Sequence, residues 1–120
     1  MAQKISDAEL EVMEAVWQLP DPCTSAQLQT ALSKKNWKQT TLLTFLTRLT
    51  EKGLLTTKKQ GKQNLYSPAL SREGYLARET RSFLAGLHGG SLRSFIAALN
   101  AGEKLQEEEL DELRSWLESQ

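Results

Sequence analysis

The chain has 120 residues, 39% of them apolar and 25% charged, and its fifteen basic and fifteen acidic side chains cancel to a formal charge of zero. This is enough for one domain or two very small ones, with the composition of a soluble protein. No stretch approaches the ~18 apolar residues of a membrane span, and the N-terminal MAQKISDAELEV has no apolar run of the secretory kind. A cytoplasmic location is therefore expected. The single cysteine, Cys23, excludes an intramolecular disulfide and a cysteine-based zinc site.

ISDAELEVMEAVWQLP predicts a first helix. Ser6 and Glu9 have the spacing of a capping box, Ile5 is placed as a staple, and Leu10, Met13, Val16 and Trp17 form the apolar stripe. Pro20 and Pro22 end it. Cys23 then falls in a turn, LPDPCTS, as a spacer thiol. A second, shorter helix follows in CTSAQLQTALSKKN. Thr24 and Gln27 repeat the capping pattern, Leu28, Ala31 and Leu32 face inward, and Asn36 stops it.

The third helix is expected over about 39–52, within NWKQTTLLTFLTRLTEKGLL. Leu42, Phe45, Leu46 and Leu49 recur at i, i+3, i+4 and i+7, which is one buried helical face, and Gly53 sits where a helix end favours glycine. The opposite face carries Thr40, Thr44 and Thr47, with Thr41, Arg48 and Lys52 beside it. Threonine is a poor choice for an exposed helix position, by a few tenths of a kcal/mol. LLTTKKQGKQNLYSP then reads as two short strands, 54–59 and 63–67, turning at Gln60-Gly61-Lys62 and stopped by Pro68. Three short-linked helices and a hairpin wing at about 54–67 make a winged helix-turn-helix over residues 1–70.

Charge supports a task for this face. Residues 1–70 hold nine basic and six acidic side chains, and residues 71–120 hold six and nine. Between Lys34 and Tyr66 stand eight basic residues and one acid, Glu51. A locally basic segment on a neutral chain suits a polyanion. In a major groove, threonine offers a hydroxyl and a methyl while letting the helix backbone come close. Lys38, Gln39, Thr40, Thr41 and Thr44 are the base and near-base candidates. Thr47, Arg48 and Lys52 are placed for phosphates or for bracing the helix. Lys58, Lys59, Lys62 and Gln63 of the wing would follow the backbone and confer salt dependence. Tyr66 either meets DNA near a phosphate or packs its ring on the third helix. Trp17 and Trp37 read as wedges between helices.

Residues 71–120 predict three more helices. SREGYLARETRSFLAGL is capped by Ser71 and carries Tyr75, Phe83, Leu84 and Leu87. After HGGS, SLRSFIAALN carries Leu92, Phe95, Ile96 and Leu99, and LQEEELDELRSWLESQ carries Leu110, Leu113, Trp116 and Leu117 opposite an acidic face. About fifty residues in short helices rarely bury a sufficient core alone. These stripes either fold back on the first domain or pair with a second copy. His88 is a lone loop histidine without a metal partner.

No enzyme constellation is present: no phosphate-binding glycine loop, no nucleophile elbow, no H-E-x-x-H. The carboxylates of 103–118 crowd one helix face rather than oppose each other across a cleft. No cofactor or metal is implied. The residues leave two readings, a sequence-specific DNA-binding regulator or a winged-helix protein-interaction module without sequence-specific DNA binding.

ISDAELEVMEAVW, TSAQLQTAL, NWKQTTLLTFLTRLTEKGLL and KKQGKQNLYSP, with the GGS-L-x-x-F break and the EEELDELRSWLES tail, resemble the penicillinase repressors, the BlaI/MecI family of winged-helix transcriptional regulators. The resemblance spans nearly the whole chain. It implies a helical dimerisation domain at 71–120, a homodimer, and a palindromic double-stranded operator with TACA/TGTA-type half-sites. It matches Thr40, Thr41, Thr44 and Arg48 to recognition-helix positions and the basic hairpin to the wing. It also implies a sensor or protease partner, because induction in the best-known members is a cut between Asn and Phe in the dimerisation domain. The matching bond here is Asn100-Ala101, where the asparagine is kept and the aromatic is missing. The Cys-x-Cys cluster of copper-responsive relatives is absent.

Overall fold

The computed structural model describes residues 4–120, so Met1, Ala2 and Gln3, the start of the stretch read as lacking a secretory signal, lie outside it. Local capping chemistry starts the first helices. Helix α1 (Asp7–Gln18) opens on the expected box, with Glu9 N–H donating to Ser6 Oγ at 3.1 Å and Ser6 N–H to Glu9 Oε1 at 2.7 Å. Helix α2 (Ser25–Ala31) repeats it, Gln27 N–H to Thr24 Oγ1 at 3.2 Å and Thr24 N–H to Gln27 Oε1 at 2.8 Å. Each box satisfies donors that a helix start leaves unpaired. A short 3-10 turn, Ser33–Lys35, ends at Asn36 in the left-handed region (φ 55°), where asparagine is tolerated better than most residues.

Helix α3 (Gln39–Glu51) follows at once. It ends on Gly53 (φ 82°), with Leu54 N–H bonded to Leu49 O and Gly53 N–H to Thr50 O. That is a Schellman closure, in which the glycine takes the conformation a Cβ would oppose. Strands β2 (Leu55–Gln60) and β3 (Gln63–Pro68) pair antiparallel, with Gln60 opposite Gln63 around a two-residue Gly61-Lys62 turn. Gly61 has φ 64°, the sign a tight hairpin needs at that position.

A third strand, β1 (Cys23–Thr24), joins β3 on its other side, Cys23 opposite Tyr66 and Thr24 opposite Leu65, so the sheet order is β1-β3-β2. This corrects the reading of Cys23 as a turn residue. Its side chain is buried, and burial first, then the Asp21 charge, pushes its thiol pKa upward. The core gathers Val12, Met13 and Val16 of α1, Cys23, Leu28 of α2, Leu42, Leu46 and Leu49 of α3, then Leu54, Leu55, Tyr66 and Tyr75. Trp17 sits against it, its Nε1–H donating to Leu70 O at 3.0 Å, its ring 5.6 Å from Tyr75. Trp37 packs edge-on to Phe45 at 5.1 Å. Ala31, expected inside, is exposed: α2 is short, and Leu28 and Leu32 suffice to face the core.

Helix α4 (Arg72–His88) begins in this first unit, Met1–Tyr75, with Gly74 N–H on Ser71 Oγ at 3.0 Å. The rest of α4 belongs to a second unit, Leu76–Gln120, together with α5 (Leu92–Gly102) and α6 (Glu107–Glu118). His88 ends α4 and is half-buried rather than in a loop. Its ring lies 5.7 Å from both Phe83 and Phe95, and its Nδ1 is 2.9 Å from Ser94 Oγ.

Candidate nucleic-acid interface

Alternation of buried and exposed positions orients α3. Leu42, Leu46 and Leu49 are buried, Phe45 is half-buried against Trp37, and Gln39, Thr40, Thr44, Thr47 and Arg48 are exposed; Lys38, the residue before the helix, is exposed as well. Thr41 is half-buried. The inner leucines therefore anchor a helix whose outer side is the threonine face read from the spacing. The hydroxyls turn back onto the helix: Thr44 Oγ1–H donates to Thr40 O at 2.9 Å, Thr47 to Leu43 O at 3.0 Å and Thr50 to Leu46 O at 2.8 Å. Such bonds use each hydroxyl's one proton, and leave a methyl and an acceptor oxygen for anything outside.

The wing lies beside the end of α3. Thr50 Oγ1 and Thr57 Oγ1 are 2.9 Å apart, which ties helix to hairpin. Lys58, Lys59, Lys62 and Gln63 are all exposed. The exposed cations Lys38, Arg48, Lys58, Lys59 and Lys62 are hydrated and available to an anion, with Lys58 and Lys59, adjacent on β2, on opposite faces of the hairpin.

Two candidates take other positions. Tyr66 is buried, 4% exposed, on the central strand between Cys23 and Thr57. Its ring completes the core beneath the wing and cannot stack on a base. Lys52 braces. It closes α3, and its Nζ donates to Glu9 Oε1 at 2.8 Å, Glu9 Oε2 at 3.2 Å and Lys4 O at 3.0 Å. Burial pushes the Glu9 carboxyl pKa up, but the Lys52 ammonium, the Ser6 N–H and the Ser6 hydroxyl together hold it below its ordinary 4.5.

Three features escaped the sequence reading. Gln29 Nε2–H donates to Trp37 O at 2.8 Å and so pins the chain just before α3; no spacing signals a contact across a turn. The Thr50–Thr57 link is equally silent. Leu43, by contrast, had a signal that could have found it, since it stands off the i, i+3, i+4 stripe. It is 36% exposed on α3.

In the second unit, no side chain from Leu76 to Gln120 is buried. Phe83, Leu87, Leu92, Leu99, Leu110, Leu113, Trp116 and Leu117 are exposed large apolar groups, with Phe95 and Ile96 half-buried. Asn100 and Ala101 are exposed in the last turn of α5, where Asn100 Oδ1 accepts from Leu105 N–H at 3.1 Å. Among the described residues no helix is long and apolar enough to cross a membrane, and no group of three metal-ligating side chains comes together.

Comparisons with curated relatives cover nearly the whole chain, and those with two solved structures about three fifths of it. The penicillinase repressor of Bacillus licheniformis is 33% identical over 115 residues, covering 96% of this chain and 90% of the relative. The methicillin resistance regulatory protein MecI of Staphylococcus aureus is 27% identical over 114 residues, covering 95% and 93%. The solved DNA-binding domain of the repressor BlaI superposes with a TM-score of 0.55 at 36% identity, covering 62% of this chain and 92% of that one. The BlaI monomer of Bacillus licheniformis in complex with the blaP half-operator gives 0.52, with the same identity and coverage. These neighbours share the winged-helix fold of the first unit, and residues 5–119 match the penicillinase repressor family. The chain thus belongs to the penicillinase repressor family, whose members are transcriptional regulators and not enzymes.

Proposed function

We propose that the chain is a homodimeric, sequence-specific DNA-binding repressor, with α3 in the major groove of a palindromic operator and the β2–β3 hairpin along the phosphate backbone. One observation carries this reading. The outward face of α3, with exposed Lys38 before it and Arg48 on it, is held by buried leucines, and α3 is tied through Thr50–Thr57 to a hairpin that exposes Lys58, Lys59 and Lys62. A relative 36% identical to this chain has been solved on a half-operator. Lys38, Gln39, Thr40, Thr41 and Thr44 are the groove-facing set, Thr47, Arg48, Lys59 and Lys62 the phosphate set, and Lys52 the brace.

Dimerisation is supported by the second unit. Three helices with exposed leucines, phenylalanine and tryptophan on one chain leave an apolar surface that water opposes. A second copy of the same faces would cover it with closed two-fold symmetry, matching the two halves of a palindrome. Such a regulator works where the DNA is, in the cytoplasm. Any sensor or protease partner acting at Asn100-Ala101 would first have to unwind the last turn of α5.

The test is fluorescence anisotropy with the full chain on a TACA/TGTA palindrome and on a scrambled duplex at two salt concentrations. Binding on the order of nanomolar, preferring the palindrome, at two protomers per site and falling by orders of magnitude with salt, is expected. Equal, weak affinity for both duplexes, from a protein that still dimerises, would favour an interaction module.

A further inference from the structure

Every other exposed large apolar side chain found among the described residues belongs to the second unit; in the first unit there is only Leu43, and it stands on α3. At ~100° per residue, Leu43, Thr47, Thr40 and Thr44 occupy about 100° of the helix circumference. Leu43 lies at i+3 from Thr40 and at i−4 from Thr47, so it borders both. Thr44 and Thr47 have spent their protons on Thr40 O and Leu43 O. What this arc offers outward is one isobutyl group, threonine methyls, acceptor oxygens and the Thr40 hydroxyl, with exposed Gln39 beside Leu43 and Arg48 beside Thr44. A hydrogen-bonding code for guanine or adenine needs donors, which Gln39, Thr40 and Arg48 supply at the margins of this strip and Leu43 does not. An apolar strip matches the one apolar group a base pair shows in the major groove, the C5-methyl of thymine.

We propose that Leu43 is a specificity-determining residue that contacts a thymine C5-methyl, so that the protein reads part of its site by methyl groups and not by donor–acceptor pairs. The inference rests on the DNA-binding reading above. It predicts a property that reading does not require, namely discrimination of thymine from uracil, which differ by that methyl alone and pair identically.

The experiment starts from the duplex that the full-length protein selects most tightly from a randomised pool. Each thymine is replaced, symmetrically in both halves, by deoxyuridine, and affinity is measured for the wild type, Leu43→Ala and Leu43→Met. Burial of one methyl corresponds to about fourfold in affinity, so a symmetric pair should cost about fifteenfold. The expected result is at least one position where uracil weakens the wild type about fifteenfold. There, Leu43→Ala should bind both duplexes with a thymine-to-uracil ratio near one, while Leu43→Met retains most of the ratio. Thermal melts check that both variants fold, which the exposure of Leu43 favours; a merely structural role would lower affinity for both duplexes and leave the ratio unchanged. Tight selected binding with no uracil-sensitive position, or an unchanged ratio in Leu43→Ala, overturns the proposal and leaves the DNA-binding reading standing. Failure to select any duplex overturns both.

Discussion

Removing the ammonium of Lys52 should loosen the body that carries α3, because this one group joins the start of α1 to the end of α3, 43 residues away in sequence. Lys52→Met keeps the aliphatic stem and leaves the Glu9 carboxylate, whose side chain is 3% exposed, with only its Ser6 partners. Breaking a fully buried pair costs about 3–5 kcal/mol and an exposed one about 0–1. The lysine side chain is 20% exposed, so the expected cost is intermediate, about 2 kcal/mol. For a unit of this size that is a fall in Tm of roughly 8–16 °C. The sign with pH follows from Glu9. Its folded pKa lies below the ordinary 4.5, so its contribution is present above that value and is lost as pH falls through the lower folded one. In Lys52→Met, the Glu9 carboxyl loses its ammonium partner and its pKa rises relative to the wild type. The variant's deficit should then be largest near neutrality and shrink in acid. Urea unfolding of the full chain, followed by circular dichroism and tryptophan fluorescence at neutral pH and at about pH 3.5, measures both. In a Glu9→Gln background, Lys52→Met should cost about 1 kcal/mol less. A deficit below about 0.5 kcal/mol, or one that does not change between the two pH values, would refute the brace.

Gly53→Ala places a Cβ at φ 82° and should cost about 1 kcal/mol in the same unfolding assay, with no neighbour to blame because nothing lies within 4 Å. Lys58→Gln, Lys59→Gln and Lys62→Gln should weaken operator and scrambled DNA alike, each flattening the logarithmic salt slope by about one unit; a change in sequence preference would place the wing on bases instead. Trp116→Asp should shift the protein toward monomer in sedimentation equilibrium while leaving the first unit's melting intact. An unchanged dimer would move the interface to other apolar residues of α4–α6.

Much of the fold is written in neighbouring residues. The Ser6–Glu9 and Thr24–Gln27 boxes, the Gly53 closure, the Gly61 turn and the inward stripe of α3 all rest on spacings of two to four residues, where periodicity and capping chemistry act directly. The outward threonines and the basic hairpin follow from the same spacings, so the candidate face was legible before any tertiary contact. What lay beyond the sequence depends on partners far along the chain. Cys23 reads as a turn until Tyr66 arrives opposite it. A two-residue strand has no periodicity to detect, and only the sheet ladder defines it. The sequence leaves Tyr66 between a phosphate contact and ring packing, and Lys52 between a phosphate contact and bracing the helix. Core packing takes the first, and the buried carboxylate of Glu9 takes the second. The threonine hydroxyls are likewise assigned by the folded helix, since a rotamer that returns the proton to the i−4 carbonyl is invisible in composition. Local propensity determined where the helices and hairpin run; burial and long-range pairing decided which of their side chains remain free to meet a partner, because only the packed chain settles which polar groups are already satisfied.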